Sequence, residues 1–217
     1  MTPPYRIETE RLVIRCYDPT ADAARLKECV DSSIEHLLPW MPWAVHEPQT
    51  VEEKVELLRR FRGGFDLGED FPYGVYERDE SRQLGGSGLH TRGGTDAFEI
   101  GYFIRADAVG NGYATELTAV LTRVAFEVAG AQRVDVKIVP ANERSIRVPE
   151  KLGYTLEGRL RRRLEPAGED GRLRDFLLFT MLREELESSP CMQYDYVARG
   201  VTGTTVASSR AARPPRR

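Results

Sequence analysis

Residues 98–128 constrain this chain most. Phe98-Glu99-Ile100-Gly101-Tyr102-Phe103-Ile104 reads as a β-strand, a turn containing Gly110 and Gly112 follows, and residues 115–128 continue without a break as an amphipathic helix. At such a junction the first helical N–H groups have no intrahelical acceptor, and the aligned peptide dipoles leave partial positive charge there. The turn therefore suits a pyrophosphate, with the glycines letting the backbone approach it; an ordinary strand-to-helix turn using glycine for its dihedrals is the plainer reading.

Two nucleotide-binding motifs are excluded. No G-x-x-x-x-G-K-S/T run occurs, so the chain has no P-loop. Gly110-Asn111-Gly112 imitates the start of a dinucleotide fingerprint, with Asp135 near the ribose-binding position, but Thr115 stands where the third glycine belongs. Residues 105–109 also separate the strand end from the first glycine, which is too far for that turn.

The next block is a second strand and helix. Residues 133–139, RVDVKIV, alternate and are rich in β-branched side chains, and residues 140–154 read as a capped helix closed by Gly153. Together the two blocks resemble the GNAT N-acetyltransferase superfamily, whose acetyl-CoA turn reads Q/R-x-x-G-x-G/A and whose later helix reads N-x-x-A/S-x-x-L/V-x-x-K-x-G-F/Y. Here the first is Val109-Gly110-Asn111-Gly112-Tyr113-Ala114, and the second begins at Asn142 and closes with Lys151, Gly153 and Tyr154. The chain is most similar to the branch of ribosomal-protein N-terminal (RimJ/RimL-like) acetyltransferases and their relatives of other substrate preference. The phrase Ile7-Glu8-Thr9-Glu10-Arg11-Leu12-Val13-Ile14-Arg15, then Ile100-Gly101-Tyr102, then Gly112-Tyr113-Ala114-Thr115-Glu116 carries that likeness.

The resemblance implies an α/β (α+β) fold, a single domain over residues 5–187. It would be a mixed, mostly antiparallel sheet with flanking helices and a splay between the fourth and fifth strands that admits the cosubstrate acetyl-CoA. It implies acetyl transfer to a primary amine, from a protein N-terminus or a small molecule, by direct attack in a ternary complex. The turn Val109, Gly110, Asn111, Gly112, Tyr113, Ala114 and Thr115, with Asn142, Ser145 and Lys151, would hold the cosubstrate. A backbone N–H of Phe103 or Ile104 would face the thioester oxygen. A CoA-binding module without catalysis is the reading from another class.

At 217 residues the chain supports one sizeable domain. Net charge is -3, while residues 188–217 carry five Arg against one Asp, so the remainder is acidic. An acidic surface argues against nucleic acid and is compatible with an amine-bearing acceptor. Cys16, Cys29 and Cys191 are odd in number and scattered, which fits a reducing, cytoplasmic location. No C-x-x-C or H-x-x-x-H pair supports a metal site, and no apolar run approaches a bilayer span. A homodimer is compatible with all of this.

Along the chain, strands are expected at 11–15, 73–77, 84–90, 99–104, 133–139, 155–161 and 176–182, with a hairpin tip around 168–171. Helices are expected at 21–30 and from Thr50, whose capping box with Glu53 turns Val51, Val55 and Leu58 inward. Beyond Glu187 the apolar pattern collapses, and residues 188–217 read as a basic, mobile tail.

Acetyl transfer needs a group to remove the amine's proton and a donor for the departing thiolate. Glu99 on the central strand and His90 at the end of the preceding one are candidates for the first, each with an ordinary structural role as the alternative. Relatives often place a tyrosine acid four residues after the serine position; that residue here is Pro149, which leaves Ser145 as substitute, or as a mere helix cap. Many relatives also have Gln or Arg where Val109 stands. Trp40 and Trp43, in the Pro-broken loop 36–43, would form a lid over the acceptor, with Glu99 beside it, or simply pack on the sheet edge.

Overall fold

Thr50 caps the longest helix: its hydroxyl accepts from the Glu53 N–H, and the Glu53 carboxylate accepts from the Thr50 N–H, satisfying two otherwise orphaned donors. The computed structural model describes residues 2–167 and 171–209. Its strands are β1 (Arg6–Glu8), β2 (Leu12–Cys16), β3 (Phe71–Glu77), β4 (Gln83–His90), β5 (Ala97–Ile104), β6 (Arg133–Ile138), β7 (Thr155–Leu164), β8 (Arg174–Leu182), β9 (Val197–Arg199) and β10 (Thr205–Ser208). Its helices are α1 (Ala23–Asp31), α2 (Ile34–Leu37), α3 (Val51–Leu67), α4 (Tyr113–Glu127) and α5 (Glu143–Leu152).

Among the described residues, ten strands form one sheet in the order β10-β9-β1-β2-β3-β4-β5-β6-β8-β7, and only β5 and β6 run parallel. Their pairing stops after three residues, Ala97↔Arg133, Phe98↔Val134 and Glu99↔Asp135. β5 stays paired to β4 as far as Ile104, and β6 to β8 as far as Ile138, so the two strands part while each remains held by its outer neighbour. This is the expected splay; it falls between the fifth and sixth strands because β1, too short to show an alternating pattern, precedes the strands read from the sequence.

Helices cover both faces of the sheet. Successive side chains of β5 alternate: the Tyr102 hydroxyl reaches α5, while the Phe103 ring packs with Trp43 and the cluster of Tyr17, Leu26, Val30 and Leu58. Helix α4 is buried on all sides from Glu116 to Phe126 rather than along one face as expected, and its buried polar side chains Glu116, Thr122 and Arg123 are hydrogen-bonded. In α3, Leu58 is fully buried, but Val51 is exposed and Val55 only half-buried, because the first turn belongs to the solvated cap; Lys54 and Phe65 are buried instead.

The expected tail is corrected by the structure. Residues 190–193 form a 3-10 turn, β9 pairs with β1, and β10 pairs with β9, so chain after Glu187 completes one edge of the sheet. Cys191, Tyr196 and Ala198 are buried, the Tyr196 hydroxyl donates to Glu127 at 2.7 Å, and Arg123 donates to the Tyr194 carbonyl at 2.9 Å. Three- and four-residue strands show too few alternations to be read from sequence. The remainder of the expected tail, residues 210–217, and the hairpin-tip residues 168–170 lie outside the described residues.

Candidate active site

The turn after β5 has the form an anion needs. Gly110 and Gly112 adopt φ of +84° and +79°, the left-handed region where a side chain is strained, and Gly112 is the N-cap of α4. Having no side chain, it caps nothing, so the first-turn N–H groups of Tyr113, Ala114 and Thr115 keep no intrahelical acceptor. The Asn111 amide folds back onto the Ala108 carbonyl at 3.1 Å and thereby braces the turn. These residues fit the pyrophosphate of a CoA nucleotide by backbone donors and dipole.

The N-terminal phrase clamps this turn from below. Buried Glu116, in the first turn of α4, accepts from the Thr9 hydroxyl at 2.5 Å and from Arg11 Nε at 2.7 Å. Arg11 also donates to the Asn111 carbonyl at 2.9 Å and lies over the Tyr113 ring, 4.9 Å from its centroid. The pairing spans more than a hundred positions, so sequence periodicity carries no trace of it.

The fork between β5 and β6 has one edge of unpaired main chain. Asp96 accepts from Gln132 N–H on the β6 side, and Arg105 N–H donates to Leu84 on the β4 side. Alternate residues of a strand face the same neighbour. Phe103 therefore turns its N–H to β4, and Ile104 with Tyr102 turns toward the fork; of the two expected oxyanion donors, the ladder leaves Ile104.

Glu99 stands at the throat, but it is engaged. Arg92 Nε donates to Oε1 at 3.0 Å, and Lys137 Nζ on β6 forms an ion pair with Oε2 at 2.7 Å. Burial would raise its carboxyl, yet the Lys137 and Arg92 cations outweigh that and hold it below the ordinary glutamate value. A carboxylate so neutralised is a poor proton acceptor.

His90, paired across the strands with Glu99, is placed differently. Its Nδ1 lies 3.0 and 2.9 Å from the two oxygens of Asp70. Its ring lies across Gly88 and points toward Gly101: a Cβ at Gly88 would fall 2.6 Å from Nε2, and one at Gly101 would fall 3.6 Å from it. Asp70 was not singled out in the sequence, where it is one acid in a Gly-Glu-Asp turn, twenty residues from its partner.

At the N-terminus of α5, Asn142 is the cap: its Oδ1 accepts from the Ser145 N–H at 3.2 Å. Ser145 is thus not the cap; its hydroxyl is half-buried and lies beside the Tyr102 hydroxyl. Pro149, the seventh residue of α5, cannot donate the N–H that a helix would give to the Ser145 carbonyl. The Tyr102 hydroxyl, from across the fork, donates to that carbonyl at 3.3 Å instead. Lys151 sits at the exposed far end of the helix, about 9 Å along the axis from Ser145, where it complements the dipole.

The loop before α3 is braced. Trp43 meets Phe103 edge-on with centroids 5.4 Å apart, Arg174 of β8 donates to the Pro39 carbonyl at 3.2 Å, and buried Lys54 pairs with Glu47. Trp40 and Trp43 are both half-buried, and Trp43 lies on the side of the sheet that carries His90 and Phe103.

A forked mixed sheet whose β5 prong carries both an open main-chain edge and a phosphate-ready turn is the arrangement of an acyl-CoA-dependent transferase. Residues 11–155 match the Acetyltransferase (GNAT) domain, and the chain belongs to this family. It is an N-acetyltransferase that uses acetyl-CoA to acetylate an amine. The [Ribosomal protein uS5]-alanine N-acetyltransferase of Escherichia coli is 26% identical over 161 residues, 72% of this chain and 81% of that protein. A putative ribosomal N-acetyltransferase of Bacillus subtilis, YdaF, is 26% identical over 82% of this chain and 94% of its own length. Among solved structures, Mycobacterium smegmatis RimJ in complex with CoA-disulfide superposes with a TM-score of 0.76 at 25% identity, covering 88% of this chain and 94% of RimJ. Among the described residues, no helix is long and apolar enough to cross a membrane.

Proposed function

We propose that this acetyltransferase acts on the α-amine of a protein or peptide N-terminus, with His90 as the proton acceptor. The observation that carries the reading is the His90 imidazole, lying over two glycines with Nε2 turned to the throat of the fork while Glu99 is tied up by two cations. The names of the relatives above support the N-terminal acceptor.

Acetyl-CoA supplies the activated acetyl group, and the chain's residues do the rest. Backbone N–H groups of 110–115 bind the pyrophosphate, and the Ile104 N–H meets negative charge developing on the thioester oxygen. An amine arrives as an ammonium ion, so Nε2 of His90, directly or through one water, takes a proton before the nitrogen lone pair can form the new C–N bond. As the C–S bond breaks, the second proton of the amine nitrogen passes to the departing sulfur through the Ser145 hydroxyl, which accepts that proton as it donates its own. Trp43, Phe103 and Trp40 wall the acceptor side. Three unpaired thiols support a reducing, cytoplasmic setting.

The test is thiol release from acetyl-CoA with a panel of peptides of varied N-terminal residue beside polyamines, amino acids and aminoglycosides. Turnover with an N-terminal alanine or serine peptide, abolished when that N-terminus is blocked, is expected. Turnover confined to small amines would replace the reading, and no turnover with any amine would leave only CoA binding.

A further inference from the structure

We propose that Asp70 is a positioning residue for the acetyl transfer: it fixes the tautomer and direction of the His90 imidazole so that Nε2 presents a bare lone pair at the throat of the fork. This rests on the reading of His90 as proton acceptor. An ionised carboxylate only accepts hydrogen bonds, so the nitrogen between its two oxygens must carry the hydrogen, and in the neutral ring the other nitrogen is left as an acceptor. Asp70 is the acceptor at Nδ1, at 2.9 and 3.0 Å. Nε2 is thereby the free position, and it is the atom turned toward Gly101.

Asp70 is itself held in register with His90. Helix α3 ends at Gly68 in the left-handed region, and Glu69 N–H returns to the Gly64 carbonyl at 2.9 Å. Thr91, the residue after His90, donates its hydroxyl to the Glu69 carbonyl at 2.7 Å. The two members of the pair are thus tied together through their chain neighbours. Burial pulls the Asp70 carboxyl upward, but the hydrogen bond and charge of His90, with Arg92 beyond, outweigh it and hold the group below its ordinary value. It stays ionised where amines are acetylated. Gly88 completes the device, because a Cβ there would occupy the place of the ring.

The experiment compares the full-length chain with Asp70→Asn, His90→Gln and the double variant. Imidazole nitrogen NMR above the titration range needs no acceptor: the wild type should show Nδ1 protonated and Nε2 bare, and Asp70→Asn should lose that preference. With acetyl-CoA and an N-terminal alanine peptide, Asp70→Asn should lower kcat about tenfold or more with KM for acetyl-CoA unchanged. His90→Gln should lower it at least as far, and the double variant no further than His90→Gln alone. If His90→Gln leaves kcat unchanged, the assignment of the proton acceptor fails. If His90→Gln is impaired while Asp70→Asn keeps the wild-type tautomer and kcat, the role given to Asp70 is overturned. A wild-type spectrum showing Nε2 protonated overturns it as well.

Discussion

Replacing Glu116 with Gln tests whether the N-terminal strand braces the cosubstrate turn. The substitution keeps volume and removes the charge that Thr9 and both Arg11 contacts converge on, at 2.5, 2.7 and 2.6 Å. Hydrogen bonds to a charged group contribute about 1.5–3 kcal/mol each, but the Arg11 side chain is 44% exposed and regains hydration when released. The Thr9 bond survives to an amide oxygen. A net loss of about 2 kcal/mol follows, or roughly 4–8 °C in Tm for a domain of this size. Arg11 also holds the Asn111 carbonyl, so its release should loosen the turn and weaken CoA by about tenfold, roughly 1.4 kcal/mol. Thermal melts and calorimetric titration with CoA read the two effects separately. An unchanged Tm would refute the energetic argument, and a lowered Tm with unchanged CoA affinity would refute the coupling between clamp and turn.

Ser145→Ala should lower kcat about a hundredfold through loss of a donor to the departing sulfur, with stability unchanged because Asn142 supplies the cap; unaltered turnover would remove Ser145 from the chemistry. Truncation after Glu187 should unfold or strongly destabilise the chain, and Tyr196→Ala alone should cost about 3–5 kcal/mol, since a fully buried ring is lost; a melting point within a few degrees of wild type would show the segment is dispensable. Glu99 is held below its ordinary value of 4.5, so its ion pairs contribute stability above about that pH, and the contribution is lost as pH falls through the depressed folded value. Glu99→Gln should therefore flatten the acid limb of the stability profile; an identical limb would show that the pair contributes nothing.

What could be read in the sequence was local. The Gly110–Gly112 turn, the Thr50 capping box and the long strands β3 to β6 all announce themselves through residues adjacent in the chain, and the fork followed from them by family likeness. The features that went unread join distant segments: Asp70 to His90, Glu116 to Thr9 and Arg11, Glu99 to Lys137. Each is a polar pair whose members look like ordinary surface residues until the sheet brings them together. Lys151 shows the converse, a motif position whose distance from the fork follows from its place in the last turn of α5, ten residues into a motif that opens at the site. The C-terminal strands were missed for a further reason, since strands of three or four residues rely on neighbours for burial and carry almost no pattern of their own.

The bond from Tyr102 to the Ser145 carbonyl makes positions 102 and 149 epistatic. While Pro149 is present, that carbonyl has no helical donor, and Tyr102→Phe should leave it unpaired at about 1–3 kcal/mol. With Ala at 149 the helix supplies its own N–H, and the same change at 102 should become nearly neutral. An exchange that removes the tyrosine hydroxyl is therefore accessible in one order of substitution and penalised in the other, so the prolyl ring in α5 limits which residues the opposite strand of the fork can accept.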